Sequence, residues 1–119
     1  MELTEQEIRE GSEILALFEG SNFCNDDIET YPNGYFIFED TGAIESKDMV
    51  YHTSYDWLMP VWVKFRDMME TYPPTNQQDF LDGYSHLQLI KHAIADKPIT
   101  EAFRALVSAV KWYNSIQKK

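Results

Sequence analysis

The last quarter of the chain repeats its apolar residues at a spacing that one backbone geometry uses well. Ile99, Phe103, Leu106, Val110 and Tyr113 recur at intervals of four, three, four and three. With 3.6 residues per turn these positions share one stripe, so the segment predicts an amphipathic helix that needs other elements to cover it. Pro98 precedes it, near the first helical turn, where a missing amide removes no intrahelical bond. Lys111, Lys118 and Lys119 lie toward its C-terminal end, where cations complement the helix dipole. Trp112 falls off the stripe, so either a further element covers it or it is exposed.

Three more helices follow from caps and periodicity. Thr4-Glu5-Gln6-Glu7 has the form of a capping box, in which the Thr4 hydroxyl and the Glu7 carboxylate each accept from the other's amide. Ile8, Leu15 and Phe18 form a stripe behind it, with Ile14 at its edge and Gly20 as the stop, which predicts a helix over about 5–19. Glu5, Arg9 and Glu13 are spaced for ion pairing on the opposite face. A second helix starts at about Thr53 or Ser54 and carries a broad arc of Trp57, Leu58, Val61, Trp62, Phe65, Met68, Met69 and Tyr72. Pro60 interrupts it and is expected to kink it, and Pro73-Pro74 ends it. A third helix over about 76–95 begins with the capping box Thr75-Asn76-Gln77-Gln78 and carries Phe80, Tyr84, Leu87 and Ile94. Gly83 weakens it.

Residues 21–53 read differently. Tyr35–Phe38 and Met49–Tyr51 are short β-rich runs, and Asn33-Gly34 suits a turn with positive φ. They predict a two-stranded antiparallel ribbon between helices 1 and 2, laid on the helices because a lone ribbon is barely stable. The expected fold is therefore α+β and predominantly helical, with about four helices and one small ribbon, in a single domain spanning 1–119.

The charge is one-sided. Residues 1–40 hold eleven acids and one base, Arg9, while residues 41–119 hold nine of each, so the whole formal charge of −10 lies in the first third. Binding to a phosphate backbone rests on Lys and Arg displacing counterions, so direct nucleic-acid binding is not expected. The longest apolar run, Trp57–Val63, is too short to span a membrane and is broken by Pro60. The N-terminal stretch is acidic where a signal peptide is basic, and one cysteine allows no internal disulfide, so a cytoplasmic protein is expected.

Several catalytic and metal-binding patterns come close without being met. Aligning Gly34 with the glycine of a calcium loop puts Glu29, Tyr31, Asn33 and Asp40 at ligand positions, but Tyr31 offers no carboxylate and Asp40 is too short to be bidentate. Asp79, Asp82 and His86 share a helical face, and His92 and Asp96 repeat the spacing, without the four ligands of a structural zinc site. Cys24 is followed by Asn25-Asp26-Asp27, whose negative charge opposes the thiolate that a Cys24–His52 pairing would need. No glycine-rich phosphate loop and no GxSxG elbow is present. No metal, cofactor or catalytic residue is expected.

The stretch Tyr51-His52-Thr53-Ser54-Tyr55-Asp56-Trp57-Leu58-Met59-Pro60-Val61 reads as a strand end, a cap and a kinked helix, with His52 satisfying backbone groups around the cap. Together with Val110-Lys111-Trp112-Tyr113-Asn114 it resembles a group of short uncharacterised bacterial and bacteriophage proteins that share a YH-S-[WY]-D-W-L-M-P-V block and a K-W-Y-N block. Tyr55 stands where Trp is common in that group. The resemblance implies an intracellular protein from a mobile or phage-derived gene and assigns no activity.

The charge layout points to a non-enzymatic protein that binds a basic protein partner, in its concrete form an inhibitor of a basic or nucleic-acid-handling host protein. Its candidate contact residues are Glu5, Glu10, Glu13, Asp26, Asp27 and Glu29. The alternative is an enzyme or small-ligand protein with a pocket at His52, Tyr55 and Trp57. Self-association through Trp62, Trp112 or the Met-rich end of the second helix is a third expectation.

Overall fold

Thr4 starts the first helix as its capping box requires. Its hydroxyl accepts from the Glu7 amide at 3.0 Å and its own amide donates to Glu7 Oε1 at 3.2 Å. The computed structural model describes residues 2–38, 42–71 and 73–117. Within them α1 spans Glu5–Phe18, β1 Asn22–Cys24, β2 Tyr35–Phe38 and β3 Gly42–Ile44. A single 3-10 turn, Ser46–Asp48, leads to α2 at Tyr55–Thr71, α3 at Gln77–Asp96 and α4 at Ile99–Gln117. The predominantly helical α+β reading holds. Tyr72, Glu39, Asp40, Lys118 and Lys119, which the sequence reading used, lie outside the described residues.

The centre of the body is α4, which meets each of the other three helices. Its buried stripe is Ala102, Phe103, Leu106, Ala109 and Val110, the predicted periodicity thickened by alanines. α1 lies on it through small residues. Gly11 and Ser12 are buried with Leu15 and Ala16, and a Cβ at Gly11 would stand 2.6 Å from Phe103 Cζ and 2.9 Å from Val107 Cγ2. That approach is available only to glycine. Phe18 then packs edge-on to Tyr113, with ring centroids 5.9 Å apart.

α2 buries Leu58, Val61, Trp62, Phe65 and Met69 and continues across Pro60 as one helix. It starts at Tyr55, with the Ser54 carbonyl accepting from the Trp57 and Leu58 amides. α3 is capped by Asn76 rather than Thr75, through a side-chain oxygen that accepts from the Gln78 and Asp79 amides. Its buried face also differs from the predicted stripe. Gly83, Ile90 and Ala93 are buried, while Phe80 and Tyr84 stand outside. The cause is Trp112, which lies over Gly83 and stacks on His86 with centroids 5.2 Å apart. α3 is thus the element that covers Trp112.

The ribbon is a three-stranded antiparallel sheet in the order β1-β2-β3, not a pair of strands. The register places Asn22 opposite Ile37, Cys24 opposite Tyr35, Phe36 opposite Ile44 and Ile37 opposite Ala43. Met49–Tyr51 is not one of its strands. Met49 and Tyr51 are fully buried, which gives the segment its alternating pattern, but the backbone turns, and the Val50 carbonyl accepts from the Thr53 and Ser54 amides. The turn at Tyr31–Gly34 closes with the Gly34 amide on the Tyr31 carbonyl at 2.9 Å. Gly34 has φ 83°, and the Phe23 ring occupies the place of its Cβ, so a side chain there is excluded twice over.

Candidate functional site

Because α1 turns Gly11, Ser12, Leu15 and Ala16 toward α4, the positions between them face outward. Glu5 and Glu10 are exposed and Glu13 is half-buried. Gln6 donates from Nε2 to Glu10 Oε1 at 3.0 Å. The expected ion pairs of Glu5 and Glu13 with Arg9 do not form, since none of the ion pairs of the described residues includes Arg9. Glu7 has a different task. Its carboxyl is held below the usual range first by the Thr4 amide and then by Arg104, whose Nε lies 3.5 Å away.

The second acidic group belongs to the β1–β2 connection. Asp27 Oδ1 accepts from the Thr30 amide at 3.2 Å, which folds the loop into a turn, and Asp26 Oδ1 accepts from the Tyr35 hydroxyl at 2.7 Å. That bond holds the Tyr35 phenol well above its ordinary range. Tyr31 lies against Tyr35 with ring centroids 4.7 Å apart. Asp26, Asp27 and Glu29 are all exposed.

Ion pairs engage only some of the acids. Bases partner Glu7, Glu45, Asp67 and Glu101, and His92 lies 3.3 Å from Asp96. None of those pairs includes Glu5, Glu10, Glu13, Asp26, Asp27 or Glu29. Among the described residues, no group of three His, Cys, Asp or Glu side chains is placed to hold a metal ion.

One further acid is engaged internally. Tyr51, fully buried, donates from its hydroxyl to Glu19 Oε2 at 3.0 Å. Burial pushes the Glu19 carboxyl up, and the Tyr51 hydrogen bond and the Lys64 charge partly offset this. Lys64 itself donates to the Phe18 carbonyl, capping the C-terminal end of α1.

His52, Tyr55 and Trp57 do not converge. Trp57 packs edge-on to Tyr51, with centroids 5.1 Å apart, and to Phe38 at 6.1 Å. Tyr55 stands on the outer side of α2, at one end of an open groove lined by Met59, Pro60, Val63 and Met68. His52 lines a separate hollow of about 470 Å³ with Glu2, Leu3, Ile8 and Thr100. Its ring meets Phe103 at 6.1 Å, and its buried Nδ1 has no hydrogen-bond partner among the described residues. The imidazole therefore packs on the core instead of serving the α2 cap. Cys24 stands opposite Tyr35 in the sheet. Trp62 and Trp112 are both engaged in internal packing, on the core and on α3.

Burial lowers the tendency of His52 and His86 to take up a proton. The folded chain then binds fewer protons than the unfolded chain below their ordinary value of 6.5. The stability they contribute is present above that pH and is lost as the pH falls through it. Denaturant midpoints should decline from about pH 7.5 to about pH 5.5. The His52→Gln, His86→Gln double variant should flatten that decline. The Glu19 carboxyl, being raised, acts in the opposite sense and favours the native state as the pH falls.

No family model, curated protein or solved structure matches this chain. No described helix is long and apolar enough to cross a membrane.

Proposed function

We propose that the protein acts without catalysis, by binding a basic protein partner through its anionic surface. The observation that carries this reading is the set of six acids on α1 and the β1–β2 loop that enter no ion pair among the described residues, five of them in a stretch without a single Lys or Arg between Arg9 and Lys47. An uncompensated field of this kind attracts cationic surfaces and speeds their association by roughly 10- to 1,000-fold at low salt. In its narrower form the protein is a phage-type inhibitor that covers the cationic surface of a nucleic-acid-handling host protein. The narrower form rests on the resemblance of the Tyr51–Val61 and Val110–Asn114 blocks, and a cytoplasmic location goes with it.

Affinity purification from the native host with mass spectrometry tests the reading. The expected result is a basic protein recovered at low salt, released at high salt and absent when Glu5, Glu10, Glu13, Asp26, Asp27 and Glu29 are replaced by Lys. Recovery indifferent to both changes rejects it.

The partnerless His52 Nδ1 favours a second reading, in which the hollow beside Glu2 and Thr100 takes a small polar ligand. Tyr55 and Trp57 have no part in that version. Shifts of the His52 ring resonances on addition of a fragment library, absent in His52→Gln, support it, and unmoved resonances reject it.

A further inference from the structure

The small sheet has two unequal faces. Phe36 is buried and Phe38 packs on Trp57, so their side of β2 faces the helices. Alternation along the strand turns Tyr35 and Ile37 the other way. Ile37 is 41% exposed and stands opposite Ala43, which is also exposed. Beside them the Tyr31–Tyr35 pair is bound to Asp26 through the Tyr35 hydroxyl. The result is an outward face of aromatic and aliphatic surface bordered by Asp26, Asp27 and Glu29. Residues 10–46 contain no base that could stack on the tyrosines or pair with these carboxylates.

We infer that this outward sheet face is where the basic partner docks, seating an arginine or lysine side chain on the Tyr31–Tyr35 pair and an adjacent apolar side chain over Ile37 and Ala43. The inference rests on the proposed function and deepens it by assigning the contact to the sheet instead of α1. Aromatic rings attract cations through their faces, and a carboxylate at the ring edge adds directional pairing. Side chains of an extended segment alternate, so a cation and an apolar residue on one side of it fall two residues apart, the same period as Tyr35 and Ile37. Charge decides the occupant. A second copy of this chain would bring the same carboxylates against this face, and a nucleic acid would bring phosphates. A cationic polypeptide complements both its charge and its apolar surface.

The probe is a fluorescein-labelled synthetic peptide of the repeat Arg-Ser-Val-Ser, which puts arginine and valine on one side of an extended chain, and its control has glutamate in place of arginine. Fluorescence anisotropy reads the binding to the full-length protein. The cationic peptide should bind at least about tenfold more tightly than the control and weaken as salt is raised. The uncharged double variant Tyr31→Ala, Ile37→Ser should lose about tenfold. The triple variant Asp26→Asn, Asp27→Asn, Glu29→Gln keeps acceptors for Tyr35 and Thr30 and should lose a similar factor. The α1 triple variant Glu5→Gln, Glu10→Gln, Glu13→Gln, which removes the same charge, should change binding by less than about threefold. Helical circular dichroism confirms that each variant is folded, and Ile37→Ser alone serves if the double variant is not. Binding lost in the α1 variant and kept in both sheet variants overturns the docking face and leaves the anionic reading standing. Equal binding of the two peptides, or none of either, overturns both.

Discussion

Replacing Phe103 with Ala should lower the unfolding free energy by about 3 to 5 kcal/mol. Only 1% of Phe103 is exposed, and it sits where α4 receives α1 and the His52 ring. Truncation removes the ring's transfer free energy and leaves a void that Gly11 cannot fill, because glycine has no side chain to move into it. A domain of this size has about 5 to 15 kcal/mol in total. The variant should therefore melt roughly 10 to 25 °C below the parent, read by circular dichroism. A loss of under about 1 kcal/mol would show that α1 does not depend on this contact.

Gly11→Ala is the second large effect, and here two influences differ in sign. Helix propensity alone favours Ala in mid-helix by about 1 kcal/mol. The new methyl would lie 2.6 Å from Phe103 Cζ and 2.9 Å from Val107 Cγ2, both on a packed helix. Forcing extra volume into such a contact costs about 1 to 3 kcal/mol. Overpacking wins, and the substitution should destabilise. The two sites touch, so their effects should not add. In a Phe103→Leu background, where the ring is gone, Gly11→Ala should cost less than in the parent, and chemical denaturation of the four proteins closes the cycle.

The sequence was most informative where one residue acts alone on its neighbours. The Thr4–Glu7 capping box, the positive φ of Gly34 and the α4 stripe all depend on local geometry, and each is found where the residues place it. It was least informative where burial comes from tertiary approach. Gly11 and Ser12 carry no apolar side chain and have no place in the predicted α1 stripe, yet both are buried, Gly11 directly against Phe103 and Val107 of α4. Phe80 and Tyr84 read as core of α3, but Trp112 already occupies that side against Gly83. The apolar alternation of Met49–Tyr51 mimicked a strand because two side chains of a turning segment point into the core. The real partners of β2 are Asn22–Cys24 and Gly42–Ile44, each three residues long and too polar or too small to stand out.

For the candidate site, the acids were legible as an uninterrupted run of charge, since exposure is the default for carboxylates. The Tyr31–Tyr35 pair was not singled out, although its spacing of four around Pro32-Asn33-Gly34 was the available signal. The Glu19–Tyr51 bond joins residues 32 apart and left no local trace. His52, Tyr55 and Trp57 lie close together along the chain, but the change from turn to helix at Tyr55 sends their side chains to three different surroundings.

The packing of α1 on α4 sets the order in which this chain can complete itself during synthesis. α3 and α4 are joined by only Lys97 and Pro98, so they can meet as soon as both have emerged. α1 must wait for α4, because the face formed by Gly11, Ser12, Leu15 and Ala16 finds its partner only when Phe103 and Val107 exist. Until then the leading segment is tethered to the ribosome with its apolar side uncovered. Glu5 and Glu10 lie on the exposed side of that helix, where like charge opposes association of uncovered chains.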